Sequence, residues 1–304
     1  MAIVTSSSFA KALFPGVSKW WGQAYDEWNP QHVDLFEEQN SRRAYEEDVQ
    51  YTGLGLAAIK REGNSVSYDG MEQGFLTRYI PVVYALGFII TREMVEDDLY
   101  GIVGPKRARA LAFSLRQTKE QVAANVYNRA FNSGFTGGDG VELLSTAHLN
   151  FTGGTFANKL VTDADLSEAA LEQACIDIAK LKNDRGLRIS LMGESLIIPV
   201  ELMFESQRIL GTPYRVSTSD NDINALHAMG KFPKGVKVNH YLTDTDAWFI
   251  RTNLREDGMK YINRREVQFA MDNEFDTENA KFKATERYAF GWTDPRGLFG
   301  SQGA

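Results

Sequence analysis

The chain has 304 residues, 43% of them hydrophobic, with 40 acidic and 33 basic side chains and a formal net charge of −7. That length suits one large or two small globular domains, and the acidic balance argues against a free-standing nucleic-acid binder, which is usually basic. The single cysteine, Cys175, excludes an internal disulfide framework and a cysteine-only zinc site.

Residues 1–16 (MAIVTSSSFAKALFPG) lack the apolar centre of a signal peptide, and no run approaches the ~18 apolar residues of a spanning helix. The expectation is a soluble product made in the cytoplasm.

Three of the five tryptophans, Trp20, Trp21 and Trp28, fall within the first fifty residues, among Phe14, Tyr25 and Phe36. Pro15, Gly16, Gly22 and Pro30 break this stretch into short pieces. Short pieces cannot bury three indoles alone, so the stretch needs its own core or a neighbouring molecule.

Over 51–90, six glycines punctuate short alternating runs such as Ser65–Tyr68, and 79–91 is rich in β-formers. This predicts a long two-stranded excursion that returns to a sheet. Such a ribbon is marginal alone in water and must lie on something. A short acidic helix follows over 91–100.

Pro105 suits the start of a long helix over 105–131, with Leu111, Leu115, Thr118, Val122 and Val126 as its stripe. Lys106, Arg107 and Arg109 crowd its positive end, where the dipole disfavours them. The acidic run Glu96, Asp97, Asp98 is placed to neutralise them, as is an acidic patch on a neighbour, but an exposed basic turn is the simpler reading.

Residues 132–162 read as a glycine-rich loop. Asp165–Glu168 reads as a capping box opening a helix with Leu171, Ala174, Cys175, Ile178 and Leu181. The run 195–200 reads as a buried strand and 201–210 as a helix, giving a compact α/β unit over about 163–249. Strands are predicted at 236–241, 247–252, 259–263, 266–272 and 281–293. In the last, Phe282, Ala284, Tyr288, Phe290 and Trp292 share one parity, and Glu286 is the one break in that apolar face.

Catalytic constellations are absent from this pattern. Gly53-Leu-Gly-Leu-Ala-Ala58 mimics a dinucleotide fingerprint, but Gly63 interrupts the helix that such a motif requires. His32, His148, His227 and His240 are not at metal-ligand spacing. Ser145 and His148 lie three residues apart without the surrounding elbow of a hydrolase nucleophile, so local hydrogen bonding is the simpler reading. The D-x-D pairs Asp163/Asp165, Asp220/Asp222 and Asp244/Asp246 lack the glycine and distal glutamate of a calcium loop. No cofactor is expected.

Four stretches carry a resemblance: 88–101 (FIITREMVEDDLYG), 138–148 (GDGVELLSTAH), 220–224 (DNDIN) and 286–297 (ERYAFGWTDPRG). In their order and spacing the chain resembles the major capsid proteins of tailed phages with the Hong Kong 97-type fold, and within them the Mu-like major head subunit group.

The resemblance implies an α+β chain with residues 1–50 as an N-terminal arm and 51–90 as an extended loop lying across an adjacent subunit. Residues 91–162 and 250–304 would form a peripheral domain around a long spine helix. Residues 163–249 would form an axial domain, with 211–224 facing the centre of a hexamer or pentamer. The turn 272–280 would sit near a three-fold contact.

Expected interface residues are Trp20, Trp21, Trp28, Lys60, Tyr68, Arg107, Asp220, Asp222, Asp276 and Glu278. Lys60 lies where some members carry a crosslinking lysine, but no matching acid and asparagine can be placed. The implied function is self-assembly into an icosahedral shell enclosing DNA, without enzyme activity. Expected partners are copies of itself, a portal and a separate scaffold protein, with packaged DNA held weakly and no membrane or small-molecule substrate. The alternatives are an encapsulin-like compartment shell and a soluble hydrolase using Ser145 and His148.

Overall fold

The computed structural model describes residues 19, 21–97, 103–214, 222–255, 257–274 and 278–304. In chain order the elements are α1 (His32–Leu35), β1 (Glu37–Asn40), β2 (Glu46–Tyr51), β3 (Gln73–Tyr79), β4 (Val82–Ile90), α2 (Arg92–Glu96) and α3 (Val103–Asn128). Then come β5 (His148–Leu149), β6 (Thr155–Phe156), α4 (Glu168–Lys180), β7 (Gly193–Ile198), α5 (Met203–Leu210) and α6 (Ala225–Met229). The chain closes with β8 (Val236–Val238), β9 (Trp248–Thr252), β10 (Met259–Asn273), β11 (Ala280–Trp292), a 3-10 turn (Pro295–Gly297) and β12 (Leu298–Ser301).

Two four-stranded sheets result, in the orders β1-β10-β11-β4 and β12-β9-β7-β8. The long strand predicted at the C-terminus is β11, antiparallel to both β10 and β4. Its two-faced pattern is real: Phe282, Ala284, Glu286 and Tyr288 are buried while Lys281 and Lys283 are exposed. Gly87 on β4 is required there, because a Cβ would lie 2.5 Å from the Phe282 carbonyl oxygen.

Helix α3 covers this sheet. At 1.5 Å per residue its 26 residues make a rod of ~39 Å. Ala108, Leu111, Ala112 and Leu115 pack on Ile90, Phe282 and Ala284. Farther along, Ala123 and Tyr127 meet Leu35, Phe36, Phe249, Tyr261 and Tyr288. The second sheet has its own core, where Leu171, Ala174 and Ile178 of α4 pack with Leu196, Ile198, Trp248, Ile250 and Phe299.

Several boundaries differ from expectation. The two strands expected at 259–263 and 266–272 are one, β10, whose register shifts near Arg265 absorb the charged Arg264-Arg265-Glu266 run. The strand expected at 236–241 stops at Val238. Helix α3 begins two residues before Pro105 and ends at Asn128. Helix α4 is capped by Ser167, whose side chain accepts from Ala170 N, while Asp165 instead accepts from Ala304 N. Ser167 has extended backbone beside the first free amides, which places it, and not Asp165, in capping position.

The ribbon also differs. It is the β2–β3 pair, starting at Glu46, and residues 52–72 beyond it have no regular structure. Ile80-Pro81 separates β3 from β4, and β4 belongs to the four-stranded sheet. Strand β12 has no counterpart among the expected elements. It carries the chain's last residues across to β9 in the second sheet.

Candidate assembly surfaces

Among the described residues, exposed apolar side chains occur along much of the chain, and three of the most exposed lie on residues 52–72. Leu56, Ile59 and Tyr68 are 84%, 94% and 95% exposed, and Leu54, Val66 and Met71 are also exposed. Lys60 lies among them, exposed. A segment of 21 residues carrying this much bare apolar surface is far from what a lone globular surface shows. The glycines Gly53 and Gly55 open no helix, so this segment cannot be a dinucleotide cradle.

The base of this loop is rigidly built. Thr52 is buried, and its N and Oγ1 donate to the Glu72 carbonyl at 3.0 and 3.3 Å while its Oγ1 accepts from Glu72 N at 2.8 Å. Below it, β2 is fixed to the end of β11. Gln50 Nε2 donates to the Thr293 carbonyl at 2.8 Å, and Thr293 Oγ1 donates to Asp48 Oδ2 at 2.9 Å. Tyr79 OH meets the same hydroxyl at 2.7 Å, and Lys260 pairs with Asp48. Burial pushes the Tyr79 phenol well up, so it stays a neutral hydrogen-bonding group.

The described part of the arm lies on its own chain. Trp21 is 6% exposed, stacked between Tyr25 and Phe269. Trp28 is 63% exposed and remains available to a neighbour. What holds the arm is a polar row on α3. Arg116 donates to the carbonyls of Tyr25 and Trp28 at 3.0 and 2.6 Å. Lys119 Nζ donates to Tyr25 OH at 3.0 Å, and Glu120 accepts from His32 N at 2.8 Å and pairs with its Nδ1 at 2.7 Å. The expected stripe on α3 contains no charged residue. Arg116, Lys119 and Glu120 are buried beside it, and nothing in the periodicity singles them out.

Arg107 is half-buried and reaches the Ile89 carbonyl at 2.8 Å and Met94 Sδ at 3.6 Å, while Asp98 of the acidic run lies outside the described residues. Glu278 is exposed and pairs with Arg92, tying the β10–β11 turn to α2. Asp222 is exposed beside the isolated bridge between Tyr214 and Ile223. Trp20, Asp220 and Asp276 lie outside the described residues.

The hydrolase arrangement does not form. His148 is fully buried, with Nδ1 2.6 Å from Asp139 Oδ2 and Nε2 3.2 Å from the Leu143 carbonyl. Both ring nitrogens are thus engaged by neighbours other than Ser145. Ser145 Oγ instead accepts from Ala147 N at 3.4 Å. His32, His227 and His240 likewise face local partners: Glu120, the Leu210 carbonyl and Gln31. Among the described residues there is no cluster of three or more metal-ligating side chains. No described helix is long and apolar enough to cross a membrane.

One residue that sequence reasoning passed over organises this region. Asn158 is fully buried; its Oδ1 accepts from Ser145 N at 2.9 Å, and its Nδ2 donates to the carbonyls of Leu143, Pro295 and Leu298 at 2.7, 2.9 and 3.2 Å. Next to it, Arg296 pairs with Asp184 and Asp294 and lies over the Phe156 ring. Burial raises the Asp294 carboxyl above its ordinary range against the opposing effect of Arg296.

Comparison with known proteins agrees with a non-catalytic reading. The sequence model of a family described as phage capsid protein matches residues 76–300. No curated protein sequence matches the chain. Among solved structures, the virus-like particle from Pyrococcus furiosus is similar at 11% identity with TM-score 0.54, covering 95% of this chain and 98% of that one. The procapsid of bacteriophage JBD30 is similar at 12% identity and TM-score 0.54, covering 97% and 75%. The capsid of the Myoviridae phage XM1 gives 10% identity, TM-score 0.52 and coverage of 91% and 92%. At such identities the likeness is one of fold, the α+β fold of Hong Kong 97-type capsids.

Proposed function

The chain belongs to the phage capsid protein family, a structural component of the virion's head shell and not an enzyme, and from that premise we propose how one copy meets the next. It acts as a major capsid protein of a tailed phage, in the Mu-like head subunit group, and assembles with copies of itself into hexamers and pentamers. Residues 52–72 lie across the adjacent subunit and bury Leu56, Ile59 and Tyr68 there. Trp28 and the arm before it add a second contact. The 211–224 end of the axial unit meets its equivalents at the ring centre, and the turn holding Glu278 meets neighbours at a three-fold position. A portal and a separate scaffold protein complete the partners.

The observation that carries this reading is the bare apolar loop. Each contact can be modest, because within a closed shell later contacts are effectively intramolecular. The family match supports a head shell over an encapsulin-like compartment, and the engagement of both His148 ring nitrogens by Asp139 and the Leu143 carbonyl argues against the hydrolase alternative.

The test is negative-stain electron microscopy of the protein expressed alone and with a co-expressed scaffold, beside a Leu56→Ser/Ile59→Ser/Tyr68→Ser variant. Closed shells or rings are expected from the parent and folded, unassembled subunits from the variant. A parent that stays monomeric with the scaffold present, or a variant that assembles like it, overturns the reading.

A further inference from the structure

The loop's neck is gripped by a residue from another part of the chain. Beyond Thr52 and Glu72, the strands of the neck, 53–55 and 69–70, are bridged by Asp69. Its Oδ2 accepts from Gly55 N at 2.8 Å and its Oδ1 from Gly70 N at 2.9 Å. Those two amides, more than any charge, hold the Asp69 carboxyl below its ordinary range.

Arg185 closes over this neck from the turn that follows α4. Its Nε donates to the Gly53 carbonyl at 3.0 Å and its Nη2 to the Gly70 carbonyl at 2.5 Å, with Nη2 3.6 Å from Asp69 Oδ1. The guanidinium thus spans both strands of the neck with one planar group, which a lysine ammonium cannot do.

The turn that carries Arg185 is itself fixed. Asn183 Oδ1 accepts from Arg185 N at 3.0 Å and from Leu187 N at 2.8 Å, and Gly186 takes φ +78° to close the turn. Its neighbour Asp184 is paired with the buried Arg296 at 3.2 Å. Arg185 therefore reaches out from a foundation tied to both the α/β unit and the C-terminal segment.

We infer that Arg185 is a positioning residue that ties the neck of the 52–72 loop to the turn after α4, so that the loop is presented to the next subunit in a fixed direction. A loop ordered beforehand loses less entropy when it docks, so contact forms at lower subunit concentration. The inference rests on the reading that residues 52–72 contact an adjacent copy. It adds that the loop and the α/β unit of one subunit turn together.

The test is hydrogen–deuterium exchange on the full-length unassembled chain, with assembly of the same preparations followed against concentration. In Arg185→Ala, peptides covering 53–55 and 69–72 are expected to exchange about tenfold faster or more, with α4 and both sheets unchanged, since a charge-assisted bond is lost. The concentration needed for assembly is expected to rise. Arg185→Lys is expected to follow Arg185→Ala, because it keeps the charge and loses the fork.

Unchanged exchange at the neck in Arg185→Ala overturns the clamp, and parent-like behaviour of Arg185→Lys overturns the fork. Faster exchange with unaltered assembly overturns the positioning role. A parent chain that never assembles overturns the reading the clamp serves, while the exchange comparison still decides the clamp itself.

Discussion

Lys119 Nζ on α3 stands 2.6 Å from Glu286 Oε2 on β11, with the glutamate fully buried and the lysine nearly so. Tyr25 of the arm completes the group, donating to Glu286 at 3.3 Å and accepting from Lys119 at 3.0 Å. The ammonium also lies over the Tyr288 ring, 5.3 Å from its centre. Helix, sheet and arm therefore converge on one ion pair at the break in an otherwise apolar strand face.

Removing one member leaves an uncompensated buried charge. Lys119→Met or Glu286→Leu alone is expected to cost about 3–5 kcal/mol in denaturant unfolding, whereas the double variant returns to near the parent. Equal losses in single and double variants would show that the pair contributes only packing.

Arg116 holds the arm through two carbonyls, lies 5.4 Å from the centre of the Tyr25 ring and stands 3.5 Å from Glu120. Arg116→Ala is expected to raise exchange over residues 22–31 while leaving β10 and β11 unchanged. Protection of that segment equal to the parent would mean that Trp21 stacking and the Tyr25 bonds to Lys119 and Glu286 anchor it without Arg116.

Asn158→Leu removes the side-chain partner of the Leu143, Pro295 and Leu298 carbonyls and of the Ser145 amide, although the Pro295 carbonyl keeps its bond from Leu298 N. Each buried group left unpaired costs about 1–3 kcal/mol, so this substitution is expected to be among the most damaging in the chain. Ser145→Ala removes only a hydroxyl that accepts from Ala147 N, so it is expected to fold and assemble normally. Thermal unfolding of the two side by side checks the contrast.

Glu194 gives a pH signature. Burial raises its pKa, but the pairs with Lys234 at 2.5 Å and Arg255 at 3.1 Å outweigh burial and hold it below the ordinary glutamate range. A depressed carboxylate adds stability above its unfolded-state pKa and loses it as pH falls through the lower folded value. Glu194→Gln is therefore expected to melt lower than the parent near neutrality, with the gap closing in acid. A gap that persists or widens toward low pH contradicts this assignment.

Much of the frame was legible from patterns that a single element carries. The parity of β11, the length of α3, and the alternation of strands and helices over 163–249 all follow from local periodicity, and each stands in the fold. Glu286 was visible as an exception to its strand face, but its partner was not. Lys119 is 167 residues away, on a helix where one more lysine looks like solvated surface.

The misses have the same origin. The Ser167 cap won over Asp165 because capping depends on backbone angle, which residue type alone leaves open. The fate of the tryptophans was undecided because aromatic content signals a need for burial and not its location. Trp21 found Phe269 and Tyr25 in its own chain, while the Trp28 side chain stays exposed.

By itself the sequence determined the long elements α3, α4 and β11, and it set the expectation that the loop region needs an external surface. Those follow from residue type and short-range spacing. Only the tertiary structure decided that β12 crosses to the second sheet, that α3 buries a charged row against the arm, and that Arg185 reaches the loop's neck. These are contacts between residues far apart in the chain, and their geometry exists only once the two sheets and the helix have packed.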